Sequence, residues 1–181
     1  MNDIIKLAVD ITEKRGLALL LTQDKAYQSK TDLIASLILH GPLFVLSGDE
    51  WLPAFALPHR IRERTTAIKE VMGHLYTTRA STCHRLFDSL ANIPSKGEPI
   101  LALGLLHTFY DADVPLRVRL FRLRECCREL KRLSFYRPVI VMVQEREAED
   151  YQKFIPALSS ITDKTMTLAP EPERLSQPAL F

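Results

Sequence analysis

The chain has 181 residues, with 24 Lys and Arg against 22 Asp and Glu and a formal net charge of +2. That length suits one domain with a proper core, and no apolar run reaches the ~20 residues of a membrane span, which predicts a soluble protein without a transmembrane segment. The start, Met1 to Lys6, lacks a basic region followed by an apolar one, which argues against a secretory signal and for a cytosolic or, in a eukaryote, nuclear compartment.

Ile4, Ile5, Ala8 and Ile11 recur at helical spacing and predict a short first helix closed near Gly16. A strand over Leu17 to Thr22 follows, then a loop, a helix to about His40 stopped by Gly41-Pro42, and a strand over Leu43 to Leu46. Ser47 to Trp51 reads as a loop, Pro58 to Gly73 as a polar helix, and Leu75 to Thr78 as a short strand. Ser81 to Leu90 reads as a helix with Ser81 as its N-cap. After a turn at Pro94 to Pro99 comes the most apolar strand, Ile100 to Leu106, then a loop at Tyr110 to Val114 and a long helix from Pro115 to Ser134. The strand Val139 to Val143, a short helix over Phe154 to Ser160 and a strand over Thr165 to Leu168 complete a domain over residues 1–168. Residues 169–181, with three prolines, read as an extended tail.

Continuous apolar strands alternating with helices are what a parallel sheet buried on both faces requires. The expected fold is a three-layer α/β domain with a central, mostly parallel sheet. In it the strands at Leu17, Leu43, Ile100 and Val139 lie side by side, and Lys30 stands at the start of the first crossover helix.

Asp24-Lys25-Ala26-Tyr27-Gln28-Ser29-Lys30-Thr31 keeps the length and the last two letters of the phosphate-binding loop G-x-x-x-x-G-K-[ST], with Asp24 and Ser29 in place of its glycines. Ser29 is small enough to let backbone N–H groups approach a phosphate, whereas Asp24 repels one unless Lys25 or a metal ion offsets its charge. The alternative is that Lys30 and Thr31 simply open a helix. A phosphate-binding loop works with an acidic residue at the end of a neighbouring strand that orders magnesium, and here Gly104 stands where that aspartate would fall. Asp111 lies further along as a substitute or as a plain loop residue. Asp49 and Glu50 follow the second strand, where Glu50 would activate water, or both are a solvated pair.

The long helix places Leu116, Leu120, Leu123, Cys127 and Leu130 on one apolar stripe and Arg117, Arg124, Arg128 and Lys131 on a neighbouring basic one. Arg60, Arg62, Arg64 and Lys69 form a second basic group. Such local excess in a nearly neutral chain either meets nucleic-acid phosphates or forms a solvated face with ion pairs. The histidines have no zinc-ligand spacing, so no metal site is indicated. Cys83, Cys126 and Cys127 form neither a disulfide framework nor a ligand set and are read as reduced packing residues.

Together these pieces resemble the ATPase core of the RecA family, in particular the archaeal and eukaryotic recombinases and their paralogues, over residues 15 to 170. Four stretches carry the likeness: Asp24 to Thr31; Arg79-Ala80-Ser81-Thr82-Cys83-His84-Arg85-Leu86-Phe87, similar to that family's Arg-Ala-x-x-Thr-x-His run; the strand Ile100 to Leu106; and the helix Arg119 to Ser134 with the strand Pro138 to Gln144. The resemblance implies a RecA-like fold and a role in DNA recombination or repair. It also implies ATP and magnesium as ligands, with Lys30 and Thr31 at the phosphate and metal and Gln144 sensing nucleotide at the strand end. Both loop glycines and the metal-ordering aspartate are absent, and the segments where recombinases carry their DNA-binding loops, Asp111 to Pro115 and Glu145 to Gln152, are short. The expectation is a non-hydrolytic accessory protein that binds a recombinase-like partner or paralogue, or DNA, preferably single-stranded. Its rivals are a weak ATPase using Ser29, Lys30, Thr31 and Glu50, and a scaffold without either ligand.

Overall fold

Strands that are apolar along their length are buried from both sides, and four such strands, with two more polar ones at the edges, form one sheet here. The structure is a computed structural model that describes residues 15–22, 27–48, 52, 55–145 and 149–168. The expected first helix over Ile4 to Ile11, the Asp49 to Trp51 part of the loop and the 169–181 tail lie outside the described residues. The strands are β1 (Gly16–Thr22), β2 (Leu43–Ser47), β3 (Leu75–Arg79), β4 (Ile100–Leu103), β5 (Pro138–Gln144) and β6 (Lys164–Leu168). They lie in the order β3-β2-β4-β5-β1-β6, and every pairing is parallel. β2, β4, β5 and β1 are therefore contiguous, as expected, in a three-layer α/β architecture consistent with a RecA-like fold.

The helices are α1 (Tyr27–His40), α2 (Ala56–Arg62), α3 (Ile68–Gly73), α4 (Cys83–Asn92), α5 (Leu116–Ser134) and α6 (Glu149–Ser159). Crossovers after β1 and β2 run toward the β3 edge and those after β3, β4 and β5 toward the β6 edge, so right-handed connections put the two sets of helices on opposite faces. The core agrees. Leu33, Ile34, Leu37 and Ile38 of α1, with Leu57 and Ile61 of α2, pack on Leu20, Val45, Leu101 and Ile140. Leu86 and Leu90 of α4, Leu123 and Leu130 of α5, and Phe154 and Leu158 of α6 pack on Leu19, Leu46, Ala102 and Val141. Successive strand residues feed alternate faces, which is why neither face shows polar alternation.

Four boundaries differ from expectation. The helix expected over Pro58 to Gly73 is two, because the Thr65 hydroxyl accepts from Ala67 N–H at 3.2 Å and this local bond replaces a helical one. α4 is capped by Thr82, whose Oγ1 accepts from Arg85 N–H at 3.2 Å, and not by Ser81. The strand expected to reach Leu106 stops at Leu103, where Gly104 turns left-handed at φ 57° into a 3-10 helix over Leu105–Phe109. α6 begins a turn early, because Tyr151 is buried together with Phe154 and Leu158 on one stripe. At the amino edge Arg137, buried, donates to the carbonyls of Pro94, Ser95 and Glu98 and pins the turn that leads into β4.

Candidate functional site

A crevice opens in a parallel sheet at the carboxyl ends of neighbouring strands whose following helices leave to opposite faces. β1 and β5 are such a pair, since α1 packs on one face and α6 on the other. The register sets Thr22, the last residue of β1, beside Gln144, the last of β5, and Glu145 N–H donates to Thr22 O at 2.7 Å. Gln144 thus ends β5 beside Thr22, two residues before the loop-like segment begins at Asp24. Asp24 lies outside the described residues. The connection from β1 to α1 is residues 23–26, and Ser29 and Lys30 already carry helical backbone as the third and fourth residues of α1. The first-turn N–H groups of a helix have no intrahelical acceptors, and those of α1 stand at this edge. The Ser29 side chain is not among those described; Lys30 is half-buried and Thr31 buried.

At the neighbouring pair, β2 and β4, two glycines meet. Gly48 N–H donates to Leu103 O at 2.8 Å, and a Cβ on Gly48 would stand 2.3 Å from Gly104 O. Gly104 therefore sits in a left-handed turn pressed against another backbone, and β4 ends one residue before it. Among the described residues the end of β4 has no carboxylate where one would order magnesium. Asp111 does not replace it: it is exposed, beyond the 3-10 helix, and its carboxylate accepts from Asp113 N–H at 3.0 Å. Asp49 and Glu50 lie outside the described residues. Among the described residues no three His, Cys, Asp or Glu side chains stand together as a metal site, and no helix is long and apolar enough to cross a membrane.

The basic stripe lies in the opposite layer from α1, so the structure does not bring the two sets of candidates together. On α5 most cations are already engaged. Arg119 is buried and donates to Phe109 O at 2.9 Å. Arg122 pairs with Glu125 at 2.7 Å and Arg132 with Glu129 at 2.6 Å. Lys131 Nζ lies 2.7 Å from Asp163, whose other oxygen accepts from Leu17 N–H at 2.8 Å, so this lysine clamps α5 to the start of β1. The Lys131 ammonium and the Leu17 N–H hold the Asp163 carboxyl below its ordinary range. Arg117, Arg124 and Arg128 are exposed and form no ion pair among the described residues. The second basic group is partly structural: Arg60 lies 3.2 Å from Asp32 and Arg64 donates to Ser36 Oγ at 2.7 Å.

Two features escaped the sequence reading. Phe121 and Phe135, 55% and 65% exposed, lie on the same stripe as the three arginines, a pattern their spacing already contained. A groove of about 660 Å³ lies between the open face of β3 and α4, with Tyr76, Arg79, Arg85, Asp88 and Lys96 on its walls, and no local motif marks it. Burial raises the thiols of Cys83 and Cys126 and pushes that of Cys127 up to about 12, so all three are packing residues, as read. Neither a protein-family model nor a curated protein matches the chain.

Proposed function

We propose that the chain is a RecA-like accessory protein of recombination or repair that binds its ligands without turning over ATP, and that it engages nucleic acid, beside a recombinase-type partner, through the outer face of α5. The observation that carries this reading is the trio Arg117, Arg124 and Arg128, exposed and without ion pairs among the described residues on a helix whose other cations are engaged. A solvated structural face is ordinarily laced with i to i+3 or i+4 pairs, as Arg122 and Arg132 are; three that are left over favour an external polyanion.

The crevice at β1 and β5 supports nucleotide binding as a second function of the same protein. Lys30 and the first-turn N–H groups of α1 would take phosphates, and Gln144 would lie beside them. The residues do not fit hydrolysis, because the end of β4 provides no carboxylate for the metal and Asp24 opposes the phosphates. Losing such electrostatic stabilisation lowers the rate on the order of a hundredfold or more per group. The expected outcome is negligible phosphate release in an ATPase assay with magnesium, unchanged by Lys30→Ala. Ordinary turnover that Lys30→Ala abolishes would make the chain an ATPase instead.

A further inference from the structure

The exposed stripe of α5 reads Arg117, Phe121, Arg124, Arg128, and the C-cap Phe135, whose backbone is still right-handed helical, continues it, so at i, i+4, i+7, i+11 and i+18 all five residues fall on one line. At 1.5 Å per residue the line is about 27 Å long. Two phenyl rings left more than half exposed, one on and one at the end of a helix that already buries a full apolar stripe, contribute nothing to the core. Each has a cation beside it: Arg122 Cζ lies 5.9 Å from the Phe121 ring centroid, and Lys131 Nζ lies 5.9 Å from that of Phe135. Arg122 is also 5.5 Å from the Phe87 ring and paired with Glu125, and Lys131 is held by Asp163, so both cations are fixed in place. The rings are thereby offered from a prearranged positive surface, with unpaired arginines between and beside them.

Resting on the nucleic-acid reading above, we infer that this line is a binding site for single-stranded nucleic acid, in which bases stack on Phe121 and Phe135 while Arg117, Arg124 and Arg128 take the phosphates. Charge complementarity fixes the class of ligand, since three uncompensated guanidinium groups in a row need a repeating anion. The rings fix its strandedness. An unpaired strand exposes base faces that any aromatic ring can stack on, whereas a duplex buries those faces in its own stack and leaves only phosphates to the arginines. The site lies on the outer helical layer, on the face of the sheet opposite α1.

Fluorescence anisotropy at low salt with an oligonucleotide of about 16 nucleotides, the upper end of such footprints, tests this against the duplex of the same sequence and an abasic strand. The wild-type chain is expected to prefer the single strand with bases over both others. Phe121→Ala and Phe135→Ala should each weaken it about tenfold while leaving the slope of log affinity against log salt unchanged, and Phe135→Tyr should restore binding. Arg124→Glu with Arg128→Glu should weaken all three ligands and flatten that slope by about two units. If the three ligands bind alike, respond to the arginine changes and ignore the phenylalanine changes, stacking is wrong while the nucleic-acid reading stands. If none binds, or the arginine changes alter nothing, that reading fails and the inference with it. Loss of self-association in the Phe121→Ala or Phe135→Ala chain, with nucleic-acid binding intact, would overturn the inference by making the rings a protein contact.

Discussion

Gly48 and Gly104 show how a single residue decides what the carboxyl edge can do. Gly48 is needed for closeness: a Cβ there would meet Gly104 O at 2.3 Å and Gly104 C at 2.9 Å, backbone atoms that cannot swing aside as a side chain would. Gly48→Ala is expected to destabilise the fold by about 1–3 kcal/mol, the usual range for forced overpacking. Gly73→Ala, at a position with nothing within 4 Å of the added carbon, should be neutral or stabilising by up to ~1 kcal/mol. Urea midpoints of the two variants measure the contrast, and equal midpoints would refute the account of the glycine contact. At this scale the sequence showed only that an aspartate was missing at 104. That the backbone there is left-handed, and that its neighbour is another glycine, depends on two strands far apart in the chain coming together, and no local pattern carries that.

At the scale of elements, α5 is tied to β1 and to the turn before β6 through one carboxylate, Asp163, which accepts from Lys131 and from Leu17 N–H. Its proton affinity is lowered in the fold, chiefly by the Lys131 hydrogen bond and then by the Leu17 N–H, so the charged form is the one the fold favours. The sign follows: the contribution is complete above the ordinary carboxylate range and is lost as pH falls through the lower, folded value. Asp163 is more than half exposed, so screening by solvent keeps the effect small. Asp163→Asn should lower the urea midpoint at neutral pH, and the gap from the wild-type chain should close on acidification below the carboxylate range. A gap that persists there unchanged would show that the charge is irrelevant to the clamp. Element types were readable from periodicity, and α5 matches its expected extent within a residue because its apolar stripe is long. The break between α2 and α3 was not, because it depends on a hydroxyl of Thr65 competing with the helix, a choice that polar composition leaves open.

For the whole molecule, order in the sheet sets the hierarchy of stability. β4 and β5 are covered on both faces and both sides, whereas β3 has a largely exposed pattern and one free side. Native-state hydrogen exchange should find the slowest amides in β4 and β5 and markedly faster ones in β3, through local opening rather than global unfolding. Equal protection across β3 and β5 would show that the sheet opens only as a unit. The parallel sheet and its four contiguous strands were foreseeable from apolar runs alternating with helices. The places of β3 and β6 at the two edges were not, since both are short and polar and pair wherever an edge is open. Of the candidate residues, Lys30 stands in the first turn of the first crossover helix as the apolar pattern suggested, whereas the register that sets Gln144 beside Thr22 carries no local signal, and the outer line of α5 became visible only when ion pairing removed its other cations.

β1 carries one more consequence, for the order in which the chain is made. Among the described strands it is the first to be synthesised, yet both strands that bond to it, β5 and β6, are the last of them. At roughly 5–20 residues per second, β5 leaves the ribosome on the order of ten seconds after β1. For that interval Leu17, Leu19, Leu20 and Leu21 have no sheet to join, and the emerging chain offers a sticky apolar segment to whatever holds nascent proteins until Gln144 has been added.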